Sequence, residues 1–262
     1  MNTAVSSPGS DVVHYDHEGR VAWLTIDRPD ARNALSSEVR DALFEGFRRF
    51  DADGGAAVLV LTGAGDVAFC AGGDLKEMAD TSLSVPPADF VPQLGRNVRT
   101  DKPVIAAVNG VAYAGGFMLA QSCDLVVAAD HARFAISEVK VGRGAPWAAP
   151  LPWLIPPRVA MQLLLTGDPI SAGRAHEVGL VNEVVPQSEL RATAQRLAER
   201  IASNAPLSVR AGKATVGLIA EHLLDEAFEL ADTLWDPVYR SADAQEGPAA
   251  FRDHRRPVWS GR

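Results

Sequence analysis

Two short stretches combine residue types that could do chemistry with backbone alone: "FCAGGDLKEM", which holds Gly72 and Gly73, and "YAGGFMLA", which holds Gly115 and Gly116. Each sets a glycine pair where a strand must turn into a helix, although glycine within a helix costs about 1 kcal/mol relative to alanine. A helix entrance without side chains leaves amide N–H groups open to a ligand, and two such donors aimed at one point make an oxyanion hole. The alternative is ordinary helix capping, which Asp74 and Glu77 in the first turn after Gly73 would favour. A third stretch, Gly63, Gly65 and Ala68, is a weak match to the dinucleotide fingerprint GxGxxA, because Gly72 and Gly73 would interrupt the helix it must open. The six histidines lack the spacing of a ligand set, so no metal is expected.

These turns need strands and helices to hold them. "VVHYDHEGRVAWLTIDRP" reads as two strands turning at Glu18 and Gly19, with Val21, Trp23 and Ile26 apolar. "SSEVRDALFEGFRRFD" places Val39, Leu43, Phe47 and Phe50 at helical spacing after serine caps, and Asp51, Gly54 and Gly55 end it. Then come the strand "AAVLVLTGAG", a helical stretch near Val91 to Thr100, the strand "VIAAVNG", the glycine-opened helix, the strand "LVVAAD" and the extended "ARFAISE". The recurring strand, turn and helix predict an α/β fold. The segment Met78 to Pro92 is polar and patternless and reads as a loop. From Arg158 the chain turns helical: Leu190, Ala194, Leu197 and Ile201 share one face, as do Leu224, Phe228, Ala231 and Leu234. Those faces need a partner, either the core or another subunit.

With 262 residues, 47% of them hydrophobic and 22% charged, one large domain can bury a sizeable core. The spacing predicts a lead over residues 1–11, an α/β core over 12–200 and a helical region over 201–262. A net charge of −8 argues against nucleic-acid binding. The long apolar runs are broken by Asn109, glycines and prolines, so no membrane span is expected. The first residues carry no signal-peptide pattern, and Cys70 and Cys123 offer no disulfide framework, so a cytoplasmic location is expected.

"AFCAGGDLKEM" followed by "AAVNGVAYAGGFMLAQSCDLVVAAD" resembles the crotonase superfamily, the enoyl-CoA hydratase/isomerase family. So do "IDRPDARNALS", "LLLTGDPISAGRAHEVGLVNEVVP" and the tail "AFRDHRRPVWSGR", so the resemblance spans nearly the whole chain. It implies a spiral of repeated ββα units with a C-terminal helical region used for trimerisation, often in a hexamer of two trimers. It implies that the substrate is an acyl-CoA, with coenzyme A part of the substrate and no separate cofactor. Gly73 and Gly115 match the residues whose N–H groups hold the thioester oxygen. The segment Ala71 to Leu75, with Gly72 and Asp74, would cradle adenine and pantetheine through backbone groups, with Ala31 and Arg32 flanking the nucleotide. Arg32 and Lys76 are phosphate partners on this reading, or else solvated surface cations.

Hydratases of the family carry a glutamate where Met118 stands and a second one where Glu138 stands in "AISEVKVG". Methionine can neither donate nor accept a proton. Hydration normally shares its proton work between two carboxylates, whereas moving a double bond needs only one, acting at both ends of the dienolate. The resemblance therefore favours isomerisation of an enoyl-CoA with Glu138 as acid and base. Hydration with a second acid from elsewhere, a thioester hydrolase or dehalogenase, and a non-catalytic acyl-CoA binder are the alternatives. Glu138 could instead be a surface carboxylate. "GRGAPWAAPLPWLIPP" is expected to wall the acyl chain, with Trp147 and Trp153 as apolar area. Arg143 in that loop would either bind a substrate carboxylate or point to water.

Overall fold

The computed structural model describes residues 12–74, 77–78, 86–221, 233, 236–237 and 240–262. The expected lead over 1–11 and the helical face of Leu224, Phe228, Ala231 and Leu234 lie outside the described residues.

The opening hairpin pairs β1 (Val13–Glu18) with β2 (Val21–Ile26) in antiparallel register, Val13 opposite Ile26. The turn falls at Gly19 and Arg20, one residue later than expected, with Gly19 supplying the positive φ of 64°. Strand β2 then runs parallel to β3 (Val58–Gly63), β3 to β5 (Val104–Val108), β5 to β7 (Leu125–Ala129) and β7 to β10 (Glu183–Val185), giving a six-stranded sheet. A second sheet of four strands is made by β4 (Ala68–Cys70), β6 (Val111–Tyr113), β8 (Arg133–Ala135) and β9 (Ile170–Ser171). Successive units thus give one strand to each sheet: β3 then β4, β5 then β6, β7 then β8. That alternation is the ββα spiral that the family resemblance implies.

Strands β3 and β5 are buried along their whole length, as parallel strands covered on both faces must be. Helix α1 (Ser37–Ala52) packs on β1 and β2, and its Val39, Leu43, Phe47 and Phe50 are all buried. Ser36 caps it by accepting from the Val39 N–H at 3.4 Å. The buried Lys102 closes its other end, donating to the Phe50 and Asp53 carbonyls at 2.9 and 2.7 Å. Helix α2 (Gly115–Ser122) joins the two sheets. The later helices are α3 (Leu151–Leu154), α4 (Pro157–Thr166), α5 (Ala172–Glu177), α6 (Gln187–Ala202), α7 (Pro206–Glu221) and α8 (Ala242–Arg252). Helix α6 lies across the six-stranded sheet with Leu190 and Ala194 buried and Leu197 and Ile201 half-buried, the face expected from its spacing. The C-terminal tail folds back on α8, where Asp243 accepts from the Ser260 and Gly261 N–H groups at 2.7 and 2.9 Å.

The helix expected near Val91 to Thr100 is not formed. Asn97 accepts from the Gln93 N–H at 2.7 Å and donates to the Ala88 and Val91 carbonyls at 3.0 and 2.9 Å, so its side chain closes a turn in place of helical bonds.

Candidate active site

The first glycine turn is anchored by Leu35. The Leu35 N–H donates to the Gly72 carbonyl at 2.8 Å, and the Asp74 N–H donates to the Leu35 carbonyl at 3.4 Å. Leu35 thereby bonds to the residues on either side of Gly73, and the Gly73 N–H faces the other way. Gly72 has φ +96°, and a Cβ there would lie 2.8 Å from Ala114 Cβ, so glycine is required on both counts. Asp74 starts the next turn, its carboxylate accepting from the Glu77 N–H at 3.4 Å and pairing with Arg28 at 3.4 Å. Glu77 pairs with Arg40 at 2.8 Å and accepts from the Ser37 N–H at 2.7 Å. Burial alone would raise the Glu77 pKa, but these partners outweigh it and hold the carboxyl below its ordinary range. Capping and an open glycine amide therefore coexist: the acids do the capping, and the Gly73 N–H takes no part.

The second glycine turn explains its own pair differently at each position. A Cβ on Gly116 would lie 2.0 Å from the Cys70 carbonyl oxygen, so α2 rests directly on the backbone of β4. A Cβ on Gly115 would stand 2.8 Å from Leu35 Cδ1, 3.8 Å from Gly72 Cα and 4.0 Å from the Gly73 nitrogen. The two candidate donors therefore border one small space beside Leu35, at the N-terminus of α2, and neither amide has an acceptor among the described residues. The residue with unusual backbone is Ala114, at φ 50° and ψ −120°, a strain of order 1–3 kcal/mol for a non-glycine residue. It is held by its N–H to the Ala135 carbonyl at 2.9 Å and by the Met118 N–H to its own carbonyl at 3.0 Å.

Glu138 lies in a 3₁₀ turn, Ser137–Val141, and not in the extended segment expected, which ends at Ala135. Its Oε1 accepts from the Trp147 indole N–H at 2.8 Å, while Oε2 is buried without a partner. Burial raises its pKa above the ordinary carboxyl value, and its backbone and Trp147 hydrogen bonds offset only part of that. Trp147, itself buried, meets Phe117 edge-on at 5.7 Å between centroids, and Phe117 meets Phe134 in the same way at 5.7 Å. Met118, next to Phe117 on α2, is 5% exposed. Trp147 thus belongs to a buried apolar cluster, whereas Trp153 is 70% exposed. Arg143 is half-buried, with its Nη2 shut off from solvent, so it does not simply point to water.

Toward the other end, the Arg32 carbonyl accepts from the Ala71 N–H at 3.1 Å, which sets Ala31 and Arg32 beside the Ala71–Asp74 segment. The Arg32 side chain is exposed on a backbone at φ 52°. Leu75 and Lys76 lie outside the described residues.

Sequence reasoning missed the residues that hold this region in place. Buried Asn33 donates to the Ala64 and Ala68 carbonyls at 3.0 and 2.7 Å, and Asn109 donates to those of Gly65 and Ala68 at 2.8 and 3.1 Å while accepting from the Gly63 N–H at 3.2 Å. Two asparagines so spend themselves on the Gly63–Ala68 turn, which leads into β4 rather than a helix, and this removes the dinucleotide reading. The available signal was an asparagine closing an apolar strand in "AVNG". Leu35 carried no signal of its own. Cys70 and Cys123 are free, buried thiols, and burial raises the pKa of both. No helix among the described residues is long and apolar enough to cross a membrane.

Residues 16–262 match the family model described as enoyl-CoA hydratase/isomerase. A carnitinyl-CoA dehydratase of Salmonella typhi is 38% identical over 263 residues, covering 97% of this chain and 100% of the relative. The fold superposes on an enoyl-CoA hydratase of Mycobacterium marinum with a TM-score of 0.88 at 40% identity, covering 96% and 99% of the two chains. An enoyl-CoA hydratase of Bacillus anthracis gives a TM-score of 0.88 at 32% identity, covering 96% and 100%.

Proposed function

Because the chain belongs to the enoyl-CoA hydratase/isomerase family, we propose that it shifts the double bond of an enoyl-CoA, with Glu138 as the single acid and base. The observation that carries this reading is the state of that carboxyl. Burial raises the Glu138 pKa, one of its oxygens is without a partner, and the other is held by Trp147, which packs on the helix that carries the apolar Met118.

In this mechanism the thioester oxygen of a 3-enoyl-CoA sits between the Gly73 and Gly115 N–H groups. Glu138 takes a proton from C2, and the electron pair delocalises onto the thioester oxygen as a dienolate. The same carboxyl then returns the proton to C4, leaving the double bond between C2 and C3. Each amide donor is worth about 3–4 kcal/mol at the transition state, and the N-terminus of α2 adds its positive end. Ala31, Arg32 and the Ala71–Lys76 segment would hold the coenzyme A portion, which belongs to the substrate. A second reading, addition or removal of water, is favoured by the names of the relatives, a carnitinyl-CoA dehydratase and enoyl-CoA hydratases. It requires a second acid in the place that Met118 cannot fill.

Trp153, Leu154, Met161 and Leu165 are exposed on α3 and α4, at 70%, 43%, 56% and 68%. That apolar area supports self-association, and the family resemblance is what makes a homotrimer, or a hexamer of two trimers, part of the same reading. We place the protein in the cytoplasm, where its two thiols would stay reduced.

The test is a pair of absorbance assays with purified protein, one on a 3-enoyl-CoA and one on a 2-trans-enoyl-CoA. A rise on the first, from formation of the conjugated system, that vanishes in Glu138→Gln supports isomerisation. A fall on the second with no rise on the first replaces it with hydration.

A further inference from the structure

Gln121 is a polar residue on the inner face of α2, only 7% exposed, three positions after Met118. Its Nε2 donates to the Trp147 carbonyl at 3.1 Å, and the Trp147 indole N–H donates to Glu138 at 2.8 Å. Its own Oε1 is buried with no donor. A leucine or methionine here would leave the buried Trp147 carbonyl without this donor, whereas the amide satisfies that carbonyl and leaves its own Oε1 unmet. What it gains in return is one hydrogen bond, to the residue that holds the carboxyl.

We propose that Gln121 is a positioning residue for Glu138, acting through Trp147: it fixes the 146–148 turn against α2 so that the indole N–H stays on Glu138 Oε1. The inference rests on the reading of Glu138 as the base and adds the device that sets its orientation. Trp147 lies in a short 3₁₀ turn, Pro146–Ala148, that follows Gly142 and Gly144 in a stretch poor in regular structure. The Phe117 ring contact restrains the indole laterally, and the Gln121 amide restrains its backbone. With both in place, the indole can discriminate between the two carboxylate oxygens, leaving Oε2 as the one open to a proton.

Few charges bear on this carboxyl. On its own segment Lys140 is paired with Asp168 at 2.7 Å, and Arg143 is half-buried. Helix α4, packed against that segment, brings Arg158, which is exposed, and α2 brings no ionisable side chain. Burial, the local backbone and the indole set the proton affinity of Glu138.

The experiment follows the side-chain carboxyl carbon of Glu138 by NMR in ¹³C-glutamate-labelled protein, the signal assigned by its loss in Glu138→Gln. The titration midpoint is compared in wild type, Trp147→Phe, Gln121→Met and Gln121→Leu. Loss of the indole donor is expected to raise the midpoint by about one to two pH units, the size of one hydrogen bond to a charged group. Both Gln121 variants are expected to raise it in the same direction by a smaller amount, and the acid limb of kcat on a 3-enoyl-CoA should move with it while KM stays within about twofold. A midpoint unchanged from wild type in both Gln121 variants, with Trp147→Phe shifted, overturns the inference and leaves Gln121 as packing alone. Turnover retained in Glu138→Gln overturns instead the reading of Glu138 as base, whatever the midpoints do.

Discussion

Gly115 and Gly116 are adjacent and identical, yet alanine at each is expected to damage a different property. A Cβ on Gly116 lies 2.0 Å from the Cys70 carbonyl oxygen, about 1.3 Å short of the roughly 3.3 Å at which carbon and carbonyl oxygen meet. Neither side can yield easily, because both are backbone and β4 is tied down through the Ala68 carbonyl by Asn33 and Asn109. Overpacking of this kind costs about 3 kcal/mol, from which the better helix propensity of alanine returns about 1 kcal/mol. The net loss of about 2 kcal/mol corresponds to a fall in Tm of roughly 4–8 °C for a chain of this size. On Gly115 the nearest atom is Leu35 Cδ1 at 2.8 Å, the end of a flexible side chain. Gly115→Ala should therefore melt within about 3 °C of wild type. Its methyl group would instead occupy the space between the two amides, and kcat should fall by about 10²–10³, the value of one misplaced donor. Thermal unfolding by circular dichroism and turnover of a 3-enoyl-CoA read the two effects separately. Gly116→Ala melting with wild type, or Gly115→Ala keeping its kcat, would refute the division of labour.

Glu138→Gln should cost at least about 10²-fold in kcat. The same variant should be more stable than wild type at neutral pH. Burial raises the folded-state pKa of Glu138, so its contribution to stability is full below the unfolded pKa and is lost as pH rises through the folded value; a Tm for Glu138→Gln at or below that of wild type above this window would contradict it. Asn109→Ala strips partners from the buried turn at Gly63 and Gly65 and should lose about 3 kcal/mol in urea unfolding. Trp147→Ala should alter acyl-chain preference in competition assays, whereas Trp153→Ala, at an exposed position, should leave it unchanged and shift the sedimentation profile instead.

The parts of this fold visible in the sequence are those governed by local pattern. Val39, Leu43, Phe47 and Phe50 repeat at helical spacing and are buried together on α1, and the apolar runs of β3 and β5 are long enough to read as strands. Of the second sheet, β8 is visible within the extended "ARFAISE", whereas β4 and β6, three residues each, show no periodicity. At Val91 to Thr100, helical spacing lost to the hydrogen bonds of the single side chain Asn97. In the site, both glycine turns could be picked out by residue type, with an oxyanion hole as one reading of them, whereas Glu138 is singled out only by the family resemblance. Leu35 and Gln121 could not be picked out: Leu35 acts through its backbone, and Gln121 through one bond to a residue 26 positions away.

Several of the local violations gather around α2. Ala114 takes a backbone conformation suited to glycine, Gly115 and Gly116 open a helix, Gln121 leaves an acceptor unpaired, and Glu138 across from them leaves another. Ala114 and Glu138 are unfavourable for stability alone: a glycine would relieve the backbone at 114, and a glutamine at 138 would end the burial of an ionisable group. The common consequence of these features is geometric. The strained turn at Ala114 and the bare backbone of Gly116 bring α2 down onto β4, which sets Gly115 beside Gly73. The far end of the same short helix reaches Glu138 through Gln121 and Trp147. Eight residues therefore couple the two amides at one end to the carboxyl at the other, and their strain is borne by the two sheets into which the helix is packed.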